Sequence, residues 1–303
     1  MDFRDLKYFE VIAEEGHVGR AAERLYKTQP ALTKCIDRLE EQLGAPLFER
    51  VGRGIRLTTV GRTLLARARQ ISLMMDDTAR EIGDYANGRD GNIRIGCSPT
   101  LAEHVLPGIC EELLAETNNI TIDLKVSMND ALLEGLKAGE LDIVLGPMIQ
   151  ADGIFETEEV IQDRMVVMAS PHHPIFNRKK TLRTLLEYRW VLPAQSVLSR
   201  QWLDNVFDRH HLQRPTVQIT PTVLNMILPL IERTNLLGFA SNLNLEAGRG
   251  NLKEVALKET TMLRRMGLTY RRDMYLSPAT QRLISIVKRK YGAWAERKVD
   301  EYT

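Results

Sequence analysis

Cysteine is scarce in this chain. Cys35, Cys97 and Cys110 are its only three in 303 residues, widely spaced and without a CxxC pair. That usage suggests neither a disulfide framework nor a zinc site and fits a reducing compartment. No run of eighteen apolar residues exists, so no membrane-crossing helix is expected. The opening Met1-Asp2-Phe3-Arg4-Asp5 lacks the apolar core of an export signal, and a soluble, cytoplasmic protein with no membrane partner is expected. Excess charge is also missing: 41 Lys and Arg stand against 40 Asp and Glu, a net charge of +1. Binding to nucleic acid or acidic membrane by bulk charge is thereby excluded, and any such binding needs a local patch. Internal repeats and low-complexity tracts are absent, as are GxSxG, HExxH, GxxxxGK[ST] and GxGxxG. The expectation is a non-enzyme with no catalytic residue, no metal and no resident cofactor. The doublets His172-His173 and His210-His211 are adjacent residues and do not present two nitrogens to one metal in the usual way. What is present is 44% hydrophobic and 27% charged, ample for a small domain plus a larger one.

Charge is uneven along the chain. Six arginines (Arg50, Arg53, Arg56, Arg62, Arg67 and Arg69) fall between residues 50 and 69 with no acidic residue among them. Ahead of them, Phe3, Leu6, Phe9 and Ile12 are spaced for a first helix ending by Gly16, and Val18 to Tyr26 for a short second one. Thr28 before Gln29-Pro30 is an N-cap followed by proline, and Leu32, Ile36, Leu39 and Leu43 continue a third helix to Gly44. Two helices joined at Lys27-Thr28, with small Ala21 and Ala22 at the crossing, form a helix-turn-helix. The outer face of the second then carries Gln29, Thr33, Lys34, Asp37 and Arg38, groups suited to base edges and phosphates. Phe48, Ile55 and Leu57 are spaced for two short strands with Arg53 at a Gly-flanked tip. This is the pattern of a wing whose arginine suits the narrow minor groove.

A long helix follows, about Val60 to Tyr85. Leu64, Ala68, Ile71, Met75, Thr78 and Ile82 form a heptad seam, read as a dimerisation surface. Asn87-Gly88-Arg89-Asp90-Gly91 breaks it. Beyond residue 92 apolar runs alternate with helical stretches: strands at 93–97, 120–126, 141–145, 165–169, 190–192, 217–220 and 236–240, helices at 101–116, 130–138, 182–187, 200–211 and 223–233. That alternation predicts α/β sheets covered by helices, with ligands beyond the C-terminal strand ends. The segment Cys97-Ser98-Pro99-Thr100 leaves a strand and opens a helix, so its hydroxyls face the expected cleft. Cys97 itself reads as a small packed thiol.

These residues closely resemble the LysR-type transcriptional regulators. The resemblance is strongest over Thr28-Gln29-Pro30-Ala31-Leu32-Thr33-Lys34, Ile36-Asp37-Arg38-Leu39-Glu40, Leu43-Gly44-Ala45-Pro46-Leu47-Phe48-Glu49-Arg50 and Gly52-Arg53-Gly54. It continues more weakly through Ile93-Arg94-Ile95-Gly96, Leu106-Pro107, Gly139-Glu140-Leu141-Asp142-Ile143, His173-Pro174 and Leu237-Gly238, covering essentially the whole chain. The resemblance implies a winged helix-turn-helix (1–59), a linker helix and hinge (60–91), and a periplasmic-binding-protein-like effector domain (92–303) of two α/β subdomains. Subdomain I would comprise 92–161 plus 268–303, and subdomain II 162–267. It implies a sequence-specific regulator of promoter DNA, modulated by a small-molecule effector, dimeric through the linker helix and assembled as a homotetramer. It would meet RNA polymerase if it activates.

By resemblance, Gln29 and Pro30 meet bases, Thr28, Thr33 and Lys34 fix phosphates, and Arg53 enters the minor groove. Lys34 stands where many relatives have arginine, and so lacks bidentate geometry. Ser98 and Thr100 match effector-contacting positions, and Gly146, Pro147, Gln195 and Ser196 face the same cleft. Gly146-Pro147 replaces the Ser or Thr that many relatives carry there. Rival readings are a small-solute-binding protein with a helical appendage, an enzyme with a DNA-binding appendage, and a regulator needing no effector.

Overall fold

The computed structural model describes residues 1–52, 54–87, 91–117, 119–148, 153–223, 226–248, 251–272 and 274–297. The chain forms two compact units, Met1–Gly88 and Arg89–Thr303.

The first unit contains α1 (Phe3–Glu15), α2 (Val18–Arg24), α3 (Gln29–Leu43), the strands β1 (Phe48–Val51) and β2 (Gly54–Leu57), and α4 (Thr59–Asn87). Asp2 caps α1 by accepting the Asp5 N–H, and Gly16 and Gly44 close α1 and α3 in the left-handed conformation. The inward faces supply Phe9 and Ile12 from α1, Ala21 and Ala22 from α2, and Leu32, Ile36 and Leu39 from α3. Each of the larger side chains contributes about 1.5–3 kcal/mol on full burial. The strands pair antiparallel with Phe48 opposite Leu57. They are tied to the helices at both ends: the Glu40 carboxylate accepts the Leu47 N–H at 2.6 Å, and the Ile55 N–H donates to the Gly16 carbonyl at 3.0 Å.

The seam predicted on α4 divides in two. Leu64 packs on the cluster of Phe9, Cys35, Leu39 and Leu47, and Ala68 is fully buried. Ile71, Met75 and Ile82 are exposed, with Met74 and Tyr85 beside them. Periodicity alone does not say which turns of a long amphipathic helix its own chain covers.

In the second unit the order is β3 (Gly91–Cys97), α5 (Pro99–His104), α6 (Leu106–Glu116), β4 (Ile120–Val126), α7 (Asn129–Lys137), β5 (Ile143–Pro147), β6 (Phe155–Ala169), α8 (Leu182–Leu185), β7 (Trp190–Val191), α9 (Leu198–Arg209), β8 (Val217–Ile219), α10 (Ile227–Arg233), β9 (Leu237–Ser241), α11 (Leu243–Glu246), β10 (Lys253–Glu254), β11 (Met262–Arg271) and α12 (Pro278–Arg297). Among the described residues they form one sheet in the order β4-β3-β5-β11-β6-β9-β7-β8, with β10 on β6. Two parallel blocks, β4-β3-β5 and β9-β7-β8, are joined through the long antiparallel pair β6 and β11. Each block has its own core, one around Ile95, Ile109, Leu268 and Leu283 and the other around Val167, Trp190, Phe207 and Leu237. The unit therefore has two lobes, and β6 and β11 run through both.

Several elements differ from the sequence expectation. The single helix expected over 101–116 is two, because the chain breaks at Val105 (φ −118°), just ahead of the Leu106-Pro107 pair that opens the next helix. The strand expected from Leu141 starts at Ile143, since the Asp142 carboxylate is held by the Arg94 N–H at 2.9 Å and by its guanidinium. The strand expected over 165–169 begins ten residues earlier at Phe155, and β11 and α12 were not anticipated.

One buried histidine sets a pH response. His173 is 1% exposed. Its Nδ1 accepts the Ile175 N–H at 3.1 Å, so its Nε2–H is the donor to the Asn235 carbonyl, also at 3.1 Å. Burial lowers its pKa below the ordinary histidine value. The unfolded chain therefore binds the proton more readily, and stability is full above the unfolded histidine pKa of about 6.5 and declines below it, down to the folded value. The melting temperature of the wild type is expected to fall more steeply from pH 7.5 to 5.5 than that of His173→Asn. Parallel profiles would remove His173 from the linkage.

Candidate functional site

Two surfaces carry chemistry, one in each unit. On the first, α3 buries Leu32, Cys35, Ile36 and Leu39 and leaves Thr28, Gln29, Pro30, Thr33 and Lys34 exposed. Thr28 precedes the helix without making a side-chain cap bond, so its hydroxyl is not spent on α3. The Thr33 hydroxyl donates to the Gln29 carbonyl at 3.1 Å and keeps acceptor capacity. Arg38, half-exposed on the same face, is also engaged within the fold: its Nε donates to the Asp5 carboxylate at 3.0 Å, and Nη2 reaches the other oxygen. That pairing locks α3 to α1 and holds the Asp5 carboxyl below its ordinary pKa. The buried Cys35 thiol beside it is pushed up to about 12, by burial first and then by Asp5.

The turn before α3 contains Tyr26 at φ +53°, a residue 94% exposed. His17 caps α2, its Nδ1 accepting the Gly19 and Arg20 N–H groups at 3.0 and 3.4 Å. Arg56 on the wing is paired across the strands with Glu49 at 2.7 Å. Arg53, expected at the wing tip, lies outside the described residues.

The second surface is a cleft of about 410 Å³ between the two lobes of the larger unit. Its walls come from the strand-to-helix corners at Ser98–Thr100, Ser127–Asp130 and Ser196–Ser199, from Pro147 and Met148, from α10, β9 and α11, and from Met262–Arg265 on β11. Of the residues expected there, Ser98, Thr100, Pro147 and Ser196 line it. Gly146 lies just behind the wall, where a Cβ would stand 3.6 Å from Asn129 Oδ1 and 3.7 Å from Ser98 Cβ. Gln195 is exposed and outside the lining. The local turn, in which the Val197 N–H donates to the Ala194 carbonyl, brings Ser196 rather than Gln195 to the wall.

Sequence reasoning missed Asn129, Asn244 and Arg264. Asn129 had a readable signal, since it opens a helix after a strand just as Ser98-Pro99 does. Arg264 had none, because β11 itself went unread. Its Nε donates to Asp163 Oδ2 at 3.0 Å, while the Ser241 hydroxyl donates to Asp163 Oδ1 at 2.6 Å. The Asp163 side chain is wholly buried in this cluster. Three residues beyond Ser241, the Asn244 amide nitrogen donates to the Ser241 carbonyl at 2.8 Å. Its oxygen is therefore left to accept His104 Nε2–H, also at 2.8 Å, which joins α5 of one lobe to α11 of the other.

Three helices, α5, α7 and α9, begin at this cleft, and none has a side-chain cap bond. Their first-turn N–H groups give the walls positive potential. Two polar atoms are buried here without a hydrogen-bond partner among the described residues, Ser98 Oγ and Asn129 Oδ1. Cys97 behind the wall is buried, with its thiol pushed up to about 12 by that burial, so it is no thiolate at neutral pH. Among the described residues no cluster of three or more His, Cys, Asp or Glu side chains is placed to hold a metal, and no helix is long and apolar enough to cross a membrane.

A winged helix-turn-helix with an exposed reading helix, on one chain with a two-lobed ligand cleft, defines a DNA-binding regulator that carries its own sensor domain. The first part matches the bacterial regulatory helix-turn-helix protein, lysR family, over residues 3–62, and the second the LysR substrate binding domain over residues 86–292. The chain belongs to the LysR family of DNA-binding transcriptional regulators. It is 31% identical over 214 residues to the HTH-type transcriptional regulator YybE of Bacillus subtilis, covering 70% of this chain and 73% of that one. It is 28% identical over 293 residues to GalR of Pseudomonas putida, covering 94% and 73%. In structure it resembles ArgP from Mycobacterium tuberculosis (TM-score 0.68, 17% identity, 95% of this chain and 97% of that one). It also resembles full-length CbnR complexed with its target DNA (TM-score 0.61, 22% identity, 95% and 99%). At these identities the structural likeness shows the fold alone.

Proposed function

We propose that the protein is a cytoplasmic, effector-switched regulator that reads a promoter through α3 and the wing, without catalysing a reaction. The observation that carries the sensing half is the pair of buried, unpartnered polar atoms in a cleft walled by both lobes. A ligand seated there touches both lobes, and it shifts their equilibrium only by the difference in its affinity for the two arrangements. Gln29 and Pro30 read bases, Thr28, Thr33 and Lys34 hold phosphates, and Arg53 enters the minor groove. Arg38 acts through Asp5, setting the angle of α3. If the regulator activates, RNA polymerase is a further partner.

The assembly is a dimer through α4, since Ile71, Met75 and Ile82 form an exposed apolar stripe on a helix of 29 residues. A tetramer is supported by the exposed Leu124 and Val126 on the edge strand β4, which an antiparallel copy could extend. Met75→Glu with Ile82→Glu is expected to halve the mass in light scattering, from tetramers to dimers joined through β4, and to reduce binding to a two-half-site duplex at least tenfold. An unchanged mass would remove α4 from the interface.

The deciding experiment titrates the protein against DNA from upstream of its own gene and against a scrambled duplex, at rising salt. Preference for the upstream DNA, weakening with salt, supports the reading. Equal binding to both, unchanged by Gln29→Ala and Arg53→Ala, overturns it. A ligand that raises the melting temperature and is recovered unaltered supports sensing over turnover.

A further inference from the structure

We propose that the effector is an α-amino or α-hydroxy acid, rather than a simple carboxylate, and that Asn129 selects for the donor group beside its carboxylate. The inference rests on the effector reading above and names the chemistry of that site. Ser98 is 7% exposed, and its hydroxyl has no partner among the described residues. Asn129 Oδ1 is likewise buried and unpartnered. Both side chains line the cleft and meet behind its wall at Gly146, whose Cβ position lies 3.6 Å from Asn129 Oδ1 and 3.7 Å from Ser98 Cβ. They are close enough neighbours for one small headgroup to engage both.

The two groups differ in what they ask of a ligand. A serine hydroxyl donates or accepts, whereas the amide oxygen only accepts. A bare carboxylate satisfies Ser98 and the uncapped first-turn N–H groups of α7, but it sets oxygen against oxygen at Asn129. An N–H or O–H on the carbon next to the carboxylate removes that conflict, donating to Asn129 Oδ1 while the carboxylate keeps Ser98 and the helix. Leaving a buried acceptor unmet costs enough to discriminate about tenfold or more between otherwise matched ligands. Asp130, the next residue along, also lines the cleft, and its charge disfavours a second anionic group at that end while tolerating an ammonium.

The test measures the melting temperature of the full-length protein with matched probes at millimolar concentration: the twenty L-amino acids, their α-hydroxy counterparts, and the same skeletons with hydrogen at the α carbon. The expected result is a shift from at least one amino or hydroxy acid, and at least tenfold weaker binding of its α-hydrogen analogue. Asn129→Leu should abolish that preference. Asn129→Asp, which keeps an acceptor oxygen in place, should retain it for the amino acid. The unliganded melting temperature of each variant confirms that it is folded. Equal binding of the α-hydrogen analogue, or a preference that survives Asn129→Leu, overturns the donor assignment and leaves the effector reading standing. No shift from any probe overturns the assigned class. If specific DNA binding is also indifferent to a total extract of small metabolites, the effector reading fails with it.

Discussion

Gln29→Ala is expected to lose about 10- to 100-fold in affinity for the specific site while changing binding to scrambled DNA little. That is the discrimination of about 1–3 kcal/mol that a bidentate amide gives over a wrong base. Gln29 stands in the first turn of α3 with its side chain exposed, beyond the buried row that begins at Leu32. Lys34, one turn further on and equally exposed, is expected to act differently. An ammonium on a phosphate carries no sequence information, so Lys34→Ala should weaken specific and scrambled duplexes alike and lower the salt slope by about 0.9. Titrating both variants on both duplexes checks the division. Equal losses everywhere would mean that α3 does not lie in the groove as assigned. Arg38→Ala makes a third pattern, because its guanidinium is held by Asp5. Its removal leaves a buried carboxylate unpaired, so lost stability should accompany any lost affinity.

Gly267→Ala is expected to destabilise the larger unit by about 3 kcal/mol, lowering its melting temperature by about 6–12 °C. The residue sits where the pairing of β11 with β6 shifts register, between Met266 and Gly267. A Cβ there would lie 2.1 Å from the Glu158 carbonyl oxygen and 2.9 Å from its carbon. Both atoms are backbone of the neighbouring strand, so no side-chain rotation relieves the clash. Either β11 moves off β6 or the bulge opens, and both disturb the crossing that joins the lobes. Gly108→Ala is the control, because a Cβ there meets side-chain ends alone, the flexible Lys290 ammonium at 3.3 Å and the Tyr291 hydroxyl at 3.7 Å. A Gly267→Ala protein melting within about 2 °C of wild type would show that the crossing yields without cost.

Local signals carried the smaller unit well. Thr28 before Pro30, the small pair Ala21-Ala22 and the closing Gly16 and Gly44 act within a few residues of where they stand, and each has its structural counterpart. The larger unit was legible only where burial wrote an apolar run. Ile93–Cys97 reads as a strand because it is sandwiched, whereas Phe155–Arg164 is half-buried and its Glu156, Thr157, Glu158 and Glu159 conceal the strand. In β11 the charged pair Arg264-Arg265, close behind its opening Met262-Leu263, hides the strand in the same way. Those are the strands that make one unit of two lobes, and Arg264 went unseen with them. Ser98 was found because its signal is local, a serine that leaves a strand and opens a helix at Pro99. Asn244, which meets His104 from 140 residues away, announces nothing locally.

The route of β11 and α12 also orders events during synthesis. The reading head is complete within Met1–Gly88. The core of the first lobe, by contrast, needs Met266 and Leu268 from β11 and Ala279, Leu283 and Val287 from α12. Synthesis must pass Val287 before that lobe can close, and the long β6–β11 pairing must wait as well. A nascent molecule thus owns a folded DNA-binding head well before it owns a sensor, so proteolysis of stalled chains should release the head first.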